Sequence, residues 1–139
     1  MAFDKTFATG IHIVVVLSYF DKLATSELLA KSVCTNPGLI RRIAAKLHKA
    51  EIIKCYAGKN GGMKLSKAPE DITLLEIYEA LSLSPALKTS NREVFSQCYI
   101  SCNISNVLSG VFEEGERALK STLADKTIAD IKNKIEAMR

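Results

Sequence analysis

The sequence predicts a mainly α-helical fold that carries one small β-hairpin, and three features indicate this. Apolar residues recur at spacings of three and four over most of the chain, which is typical of amphipathic helices. A glycine-rich turn at 58–62 separates two short apolar runs, as in a hairpin. The 139 residues, 47% of them apolar, suit one compact domain, or one domain with a dimerisation arm.

Three helices are predicted in the first half of the chain. A run of apolar residues over about 5–20 indicates a buried first helix. Thr25 and Ser26 can cap a short second helix that ends near residue 31. Asn36 followed by Pro37 is typical of a helix start, and the helical pattern continues to about residue 50.

The third predicted helix has one apolar and one basic face. Its apolar positions recur at helical spacing and are expected to face the core: Ile40, Ile43, Ala44, Leu47 and Ala50. The opposite face is predicted to carry Gly38, Arg41, Arg42, Ala45, Lys46 and Lys49. Two short helices joined by a tight turn, the second with such faces, are typical of a helix-turn-helix.

A hairpin is predicted next, with strands at 52–56 and 63–65. Asn60 and Gly61 are expected to supply the positive φ of its turn. Such a hairpin is the wing of a winged helix-turn-helix, and Lys59 and Lys64 would be available to phosphates or a minor groove. The loop lacks the GxxxxGK[ST] spacing of a P-loop, which excludes that nucleotide-binding class.

Three further helices are predicted in the second half. Glu70 and Asp71 suit the first turn of an amphipathic helix that ends near residue 81, and 82–91 is the predicted linker. A long apolar stripe from Ile104 indicates a dimerisation helix, although an ordinary core helix is the alternative. Thr127 can cap a terminal helix.

These elements divide the chain into three predicted segments. Residues 1–81 form a winged helix-turn-helix DNA-binding domain, 82–103 a linker that carries two cysteines, and 104–139 the dimerisation helix with a terminal helix. No apolar run reaches the roughly 20 residues of a transmembrane helix, and no basic segment typical of a signal peptide is present. We therefore expect a cytoplasmic protein without membrane contact.

Charge is distributed unevenly along the chain. Residues 1–66 hold ten Lys and Arg against four Asp and Glu, whereas 67–139 hold nine against eleven. A basic stretch of this kind indicates a phosphate-binding surface, although a solvated basic face without function gives the same pattern. The lack of Trp and the 6% aromatic content argue against a partner of single-stranded nucleic acid. Because a helix-turn-helix places its second helix in the major groove, double-stranded DNA is the expected partner.

Three separated segments resemble one family of bacterial regulators. TNPGLIRRI at 35–43, GKNGGMKLS at 58–66 and PEDITLLEI at 69–77 resemble the winged helix-turn-helix regulators that include IscR, NsrR and CymR. The cysteine-bearing segment at 98–104 is most similar to the YwnA-type branch. The resemblance covers nearly the whole chain, and it implies a homodimer that binds a partly palindromic operator and represses, or sometimes activates, transcription.

The helix-turn-helix interpretation yields ten candidate DNA-binding residues. Arg41 and Arg42 are the best candidates for contacts with guanine edges or flanking phosphates. The wing residues Lys59 and Asn60 would reach the minor groove. The remaining candidates would position the module on the DNA backbone or begin the recognition helix: Thr25, Ser26, Asn36, Pro37, Lys46 and Lys49.

The cysteines suggest a redox role. Cys34 lies near the cations of the predicted recognition helix, which makes it a candidate reactive thiol, or it is a small buried apolar residue. A bond between Cys98 and Cys102 would distort a helix, so each is expected to pair with Cys34, a partner chain or a small thiol. Oxidation of Cys34 with Cys98 or Cys102 is therefore the predicted signal, and Cys55 is expected to serve packing.

No cofactor or catalytic group is expected. Cluster-binding members of the resembled family use three cysteines before the long helix, whereas this chain has only Cys98 and Cys102 there. A zinc site across a dimer has no supporting motif, so no metal site is assigned. The two histidines pair with no nucleophile, which argues against an enzyme. The alternative function is a winged-helix module for protein contact, or a regulator controlled by a partner or metabolite without redox sensing.

Overall fold

A computed structural model of the chain describes residues 5–81, 85–90 and 92–139. Its elements are helices α1 (Thr6–Leu17), α2 (Ser26–Val33) and α3 (Pro37–Lys49), strands β1 (Ile53–Tyr56) and β2 (Gly62–Leu65), and helices α4 (Leu74–Leu81), α5 (Tyr99–Ala124) and α6 (Ile128–Glu136). The predicted mainly α fold with a two-stranded antiparallel hairpin is confirmed. Within the described ranges no helix is long and apolar enough to cross a membrane.

The chain divides into two compact units, Met1–Ser82 with Leu123–Arg139, and Leu83–Thr122. The first unit contains a continuous hydrophobic core, to which α1, α2, α3, α4, α6 and the hairpin all contribute. Its fully buried side chains include Ile13, Leu29, Ile40, Leu47, Ile52, Ile53, Ile72, Ile77 and Ile128. This core holds α3 against the hairpin and leaves the opposite side of α3 in solvent.

Side-chain caps determine where α2 and α3 begin. Thr25 Oγ1 accepts the backbone N–H of Leu28 at 3.2 Å, and Asn36 Oδ1 accepts that of Leu39 at 2.8 Å. Each cap satisfies an amide that has no partner inside its own helix, so both predicted helix starts are confirmed. Between the helices, Cys34 has a φ of 63° and ends α2 in the left-handed conformation.

The hairpin pairs Ile53 with Leu65 at one end and Tyr56 with Gly62 at the other. The expected positive φ at Asn60 and Gly61 is wrong, because the glycines at positive φ are Gly58 (98°) and Gly62 (155°). The loop between the strands has five residues, 57–61, and the left-handed positions lie near its ends rather than at its centre. We call β1, β2 and this loop the wing.

The wing is also tied to the segment before α2. Ala24 and Met63 exchange backbone hydrogen bonds of 2.9 and 2.8 Å. A Cβ at Gly62 would lie 2.8 Å from the carbonyl oxygen of Ala24, so this close backbone approach requires glycine. The start of α2 and the wing are thereby held next to each other.

Two element boundaries differ from expectation. Glu70 and Asp71 lie in a separate 3-10 turn, Pro69–Asp71, rather than in the first turn of α4, because Ile72 is extended and interrupts the helix. Helix α5 begins at Tyr99 rather than near Ile104, so Cys102 lies inside it. Four residues of the predicted linker, 82–84 and 91, lie outside the described part of the chain.

The terminal helix α6 belongs to the first unit. The backbone N–H of Leu74 donates to the carbonyl of Lys126, and that of Ile128 donates to the carbonyl of Ile72, both at 2.9 Å. The segments predicted from the sequence place this helix together with the preceding long helix, in 104–139. The backbone contacts instead join α6 to the segment just before α4.

Candidate nucleic-acid interface

A cleft of about 630 Å³ lies between the start of α2, one side of α3 and the wing. Its polar lining residues come from all three elements: Thr25, Ser26, Glu27, Arg41, His48 and Lys59. Ala44, Ala45 and Met63 provide an apolar floor. We call this feature the cleft.

The arginine at the centre of the cleft has partners on α2. Arg41 Nη1 donates to Ser26 Oγ at 3.1 Å and lies 4.0 Å from Glu27 Oε1. Ser26 Oγ in turn donates to Glu27 Oε2 at 3.4 Å. The Arg41 side chain is 61% exposed, and an exposed ion pair contributes little to stability. The main effect of these contacts is therefore to orient the guanidinium group.

Helix α3 presents two exposed rows of residues to solvent rather than the single basic face that was expected. Arg41, Ala45 and His48, at spacings of four and three, line the cleft. Arg42, Lys46 and Lys49 repeat at the same spacings, and all three are exposed outside the cleft. Successive helical residues are about 100° apart, so neighbouring positions fall in adjacent rows. The structure thus separates Arg41 from Arg42.

The ten candidate residues are only partly brought together. Thr25, Ser26, Arg41 and Lys59 line the cleft, while six lie outside it: Asn36, Pro37, Arg42, Lys46, Lys49 and Asn60. Thr25 and Asn36 also serve as helix caps, so an oxygen of each side chain is already engaged. Asn60 is exposed in the wing loop. The surface nevertheless places basic side chains from α3 and the wing on one side of the first unit.

The cleft residues that were not among the candidates include two whose side chains form hydrogen bonds, His48 and Glu27. His48 Nδ1 lies 3.3 Å from both the amide nitrogen of Cys55 and the carbonyl oxygen of Ile53, and it joins the end of α3 to β1. Its position seven residues after Arg41 is a signal in the sequence, because two helical turns return to the same side. No sequence pattern indicates that Glu27 belongs to the cleft, because an acid in the first turn of a helix is common even where it has no partner.

The candidate redox cysteines have different surroundings. Cys34 is exposed in the turn between α2 and α3, so the alternative of a buried packing residue does not hold. Cys98 immediately precedes α5, and its Sγ accepts the N–H of Ser101 at 3.4 Å. Cys102 is exposed and donates to the carbonyl of Ser96 at 3.5 Å. Cys55 packs against the core, and burial raises the pKa of its thiol.

The start of α5 offers two thiols as candidate ligands for an iron–sulfur centre. Such a centre requires a full set of mostly thiolate ligands. Only Cys98 and Cys102 lie at the start of α5. In the part of the chain that the structure describes, no three side chains of His, Cys, Asp or Glu are grouped so that they can hold a metal ion.

Comparison with known proteins identifies relatives over nearly the whole chain. The family model Rrf2, described as iron-dependent transcriptional regulator, matches residues 3–134. YwnA of Bacillus subtilis (strain 168), an HTH-type transcriptional regulator by name, is 37% identical over 130 residues, which are 94% of this chain and 96% of YwnA.

Solved structures have the same architecture. A Lactobacillus plantarum protein described as a transcriptional regulator superposes with a TM-score of 0.82 and 28% identity, over 95% of this chain and 90% of that protein. IscR of T. potens, at 19% identity, shares the fold with a TM-score of 0.73, over 100% of this chain and 91% of its own. The resemblance drawn from the three segments and the winged-helix fold are thereby confirmed. The chain belongs to the Rrf2 family, whose members are transcriptional regulators rather than enzymes.

Proposed function

We propose that this protein is a homodimeric regulator that binds a specific site on double-stranded DNA and represses transcription. The observation that carries the proposal is the row of exposed bases on α3, Arg42, Lys46 and Lys49, beside a cleft that holds Arg41 and Lys59. In a winged helix-turn-helix the second helix enters the major groove, where arginine pairs with guanine edges. The wing then reaches the neighbouring minor groove.

Each candidate has a proposed role in that complex. Arg41 and Arg42 contact guanine edges or adjacent phosphates, and Lys59 and Asn60 enter the minor groove. Four residues position the module on the DNA backbone, and two begin the recognition helix. The first four are Thr25, Ser26, Lys46 and Lys49, and the other two are Asn36 and Pro37. These contacts combine sequence reading with charge neutralisation.

The surface of α5 supports the proposed dimer. Over its length from Tyr99 to Ala124 the helix has no buried residue. Ile100, Ile104, Val107 and Val111 are exposed and follow one another at spacings of four, three and four, which aligns them along one side. Leaving such a stripe in water is unfavourable, and the same stripe of a second copy can cover it. To bind two half-sites, such a dimer must hold its recognition helices about 34 Å apart, which is one turn of DNA, or a multiple of that distance.

The proposed signal is oxidation of Cys34 together with Cys98 or Cys102. A peroxide converts one thiol to a sulfenic acid and is reduced to water, after which a second thiol condenses with it to a disulfide and releases another water. The exposed Cys34 lies in the turn that leads into α3, so a covalent bond there would displace the recognition helix. No cofactor takes part in this proposal. The proposed location is the cytoplasm, which contains the DNA that the protein would bind and keeps thiols reduced.

DNA binding is tested with a duplex selected by this protein from a random pool and with a random duplex. We expect tighter binding to the selected duplex, and a steep loss of affinity for both between 50 and 200 mM salt because counterions are released on binding. If no sequence is enriched and affinity does not depend on salt, the proposal is wrong, and the winged module is better explained as a surface for protein contact.

Redox control is tested by operator binding before and after peroxide treatment. We expect the wild-type protein and the matched control Cys55→Ser to release the operator, and Cys34→Ser to retain it. Among Cys98→Ser and Cys102→Ser, the variant that also retains the operator identifies the partner thiol. Equal release by all four variants would reject the thiol mechanism and leave DNA binding intact.

A further inference from the structure

The cleft has one feature that DNA binding alone does not require, a carboxylate beside its arginine. Among the described residues that line the cleft, Glu27 is the one acid. Its Oε1 lies 4.0 Å from Arg41 Nη1, and Ser26 Oγ bridges the two side chains through bonds of 3.1 and 3.4 Å. An acid on a surface that meets polyanionic DNA is expected to weaken binding.

Stability does not explain the contact. Both side chains are well exposed, 61% for Arg41 and 68% for Glu27, and an ion pair of this kind contributes little to folding. The contact also joins residues from two different helices, α2 and α3, so it is not a pair within one helix. The contact is therefore expected to affect how the protein binds DNA.

We propose that Glu27 is a specificity-determining residue that directs Arg41 to base edges and away from phosphates. This rests on the proposed function. A phosphate that approaches Arg41 brings a full negative charge close to the Glu27 carboxylate and is repelled by it. The O6 and N7 acceptors of guanine are uncharged, so a guanine edge that meets the same guanidinium is repelled far less.

The arrangement leaves Arg41 able to read a base. One of its five N–H donors is held by Ser26 Oγ, and the others remain available for a bidentate contact. Glu27 Oε1 lies 4.0 Å from Arg41 Nη1, and a phosphate oxygen bonded to that nitrogen would lie about 2.9 Å from it. The phosphate would therefore be within about 7 Å of the carboxylate, which is below the screening length of about 8 Å at physiological salt, so the repulsion persists there. Glu27 therefore acts as a repulsive element against wrong sequences, which offer Arg41 only the backbone.

The test compares Glu27→Gln with the wild type on the selected and the random duplex. We expect affinity for the random duplex to rise about threefold, the effect in water of removing one charge about 7 Å from a phosphate. Affinity for the selected duplex should change much less, so the ratio between the two falls. The salt dependence of random binding should steepen by about one unit, because Arg41 then gains a phosphate contact.

Two controls separate this role from a general effect of charge. Glu70→Gln removes the same charge from an exposed residue that does not line the cleft, and it should leave the ratio unchanged. In an Arg41→Ala background, Glu27→Gln should no longer alter the ratio. Thermal unfolding of each variant checks that the fold is intact.

The outcomes distinguish the inference from the function on which it rests. If the wild type discriminates between the duplexes and Glu27→Gln leaves the ratio unchanged, the inference is wrong and the proposed function stands. An effect of Glu27→Gln that survives removal of Arg41 would also overturn it. If the wild type shows no sequence preference, the proposed function and this inference fail together.

Discussion

At the scale of single residues, Cys34 shows a conflict between side chain and backbone. Its φ of 63° and ψ of 50° lie in the left-handed region, where a residue with a Cβ is disfavoured by about 1–2 kcal/mol relative to the right-handed region. Glycine is the usual residue at such a helix end. A thiol at this strained and exposed position agrees with the proposed chemical role.

We expect Cys34→Gly to stabilise the fold by about 1 kcal/mol, because glycine adopts this conformation without strain. Cys34→Ser keeps the Cβ and should not be stabilised, which makes it the matched control. The measurement is the midpoint and slope of urea unfolding. Both variants lack the thiol, so both should resist release by peroxide. Equal stability of the two would contradict the assignment of strain.

The two cations in the cleft are expected to differ in what they contribute. Arg41→Ala should lose discrimination between the selected and random duplexes by about 1–3 kcal/mol. Lys59→Ala should weaken binding to both duplexes alike and reduce the salt slope by about one unit. Binding titrations at several salt concentrations measure both effects. Equal losses on both duplexes for both variants would contradict these roles.

At the scale of elements, α6 is defined by its own cap. Thr127 Oγ1 accepts the N–H of Asp130 at 3.1 Å, and the Asp130 carboxylate accepts the N–H of Thr127 at 2.9 Å. The Thr127 backbone and side-chain hydrogen bonds lower the pKa of Asp130. Near the other end of α6, a hydrogen bond from the Tyr19 hydroxyl lowers the pKa of Glu136 and raises that of Tyr19.

These shifts predict the pH dependence of stability. A carboxyl whose pKa is lower in the folded state stabilises the fold when ionised, and it loses this contribution as the pH falls. We therefore expect full stability at neutral pH and a decline below about pH 4. Asp130→Asn should destabilise the protein at pH 7 and differ less from the wild type at pH 3, as measured by urea unfolding. The control is Asp125→Asn, which replaces an exposed acid outside the cap. The prediction is contradicted if the difference in stability between Asp130→Asn and the wild type is as large at pH 3 as at pH 7.

At the scale of the whole molecule, the exposed stripe on α5 predicts assembly. Val107 is 62% exposed near the middle of the stripe. Val107→Glu should convert the proposed dimer to a monomer, because two carboxylates would be buried against each other. Asn106→Glu places the same charge on the neighbouring exposed residue and should leave the dimer intact. Analytical ultracentrifugation measures the state of each variant. A wild-type monomer, or a dimeric Val107→Glu variant, would contradict the proposed interface.

Much of the secondary structure was accessible from local chemistry. The caps at Thr25, Asn36 and Thr127 were predicted correctly, and so were four of the five core positions of α3, because each depends on residues within one or two helical turns. The fifth, Ala50, is exposed because the helix ends at Lys49. Winged-helix membership followed from the order of these elements and from three short segments of sequence. The roles of individual side chains in DNA binding and redox sensing remain predictions.

Contacts between distant parts of the chain were not accessible in this way. Glu27 meets Arg41, His48 meets the backbone of β1, and α6 joins the segment before α4, and none of these pairs follows from spacing. The division of α3 into a cleft row and an outer row likewise depends on where the wing packs. Periodicity and capping are short-range properties that any segment carries with it, whereas the partners of a side chain are set when the core packs helices together.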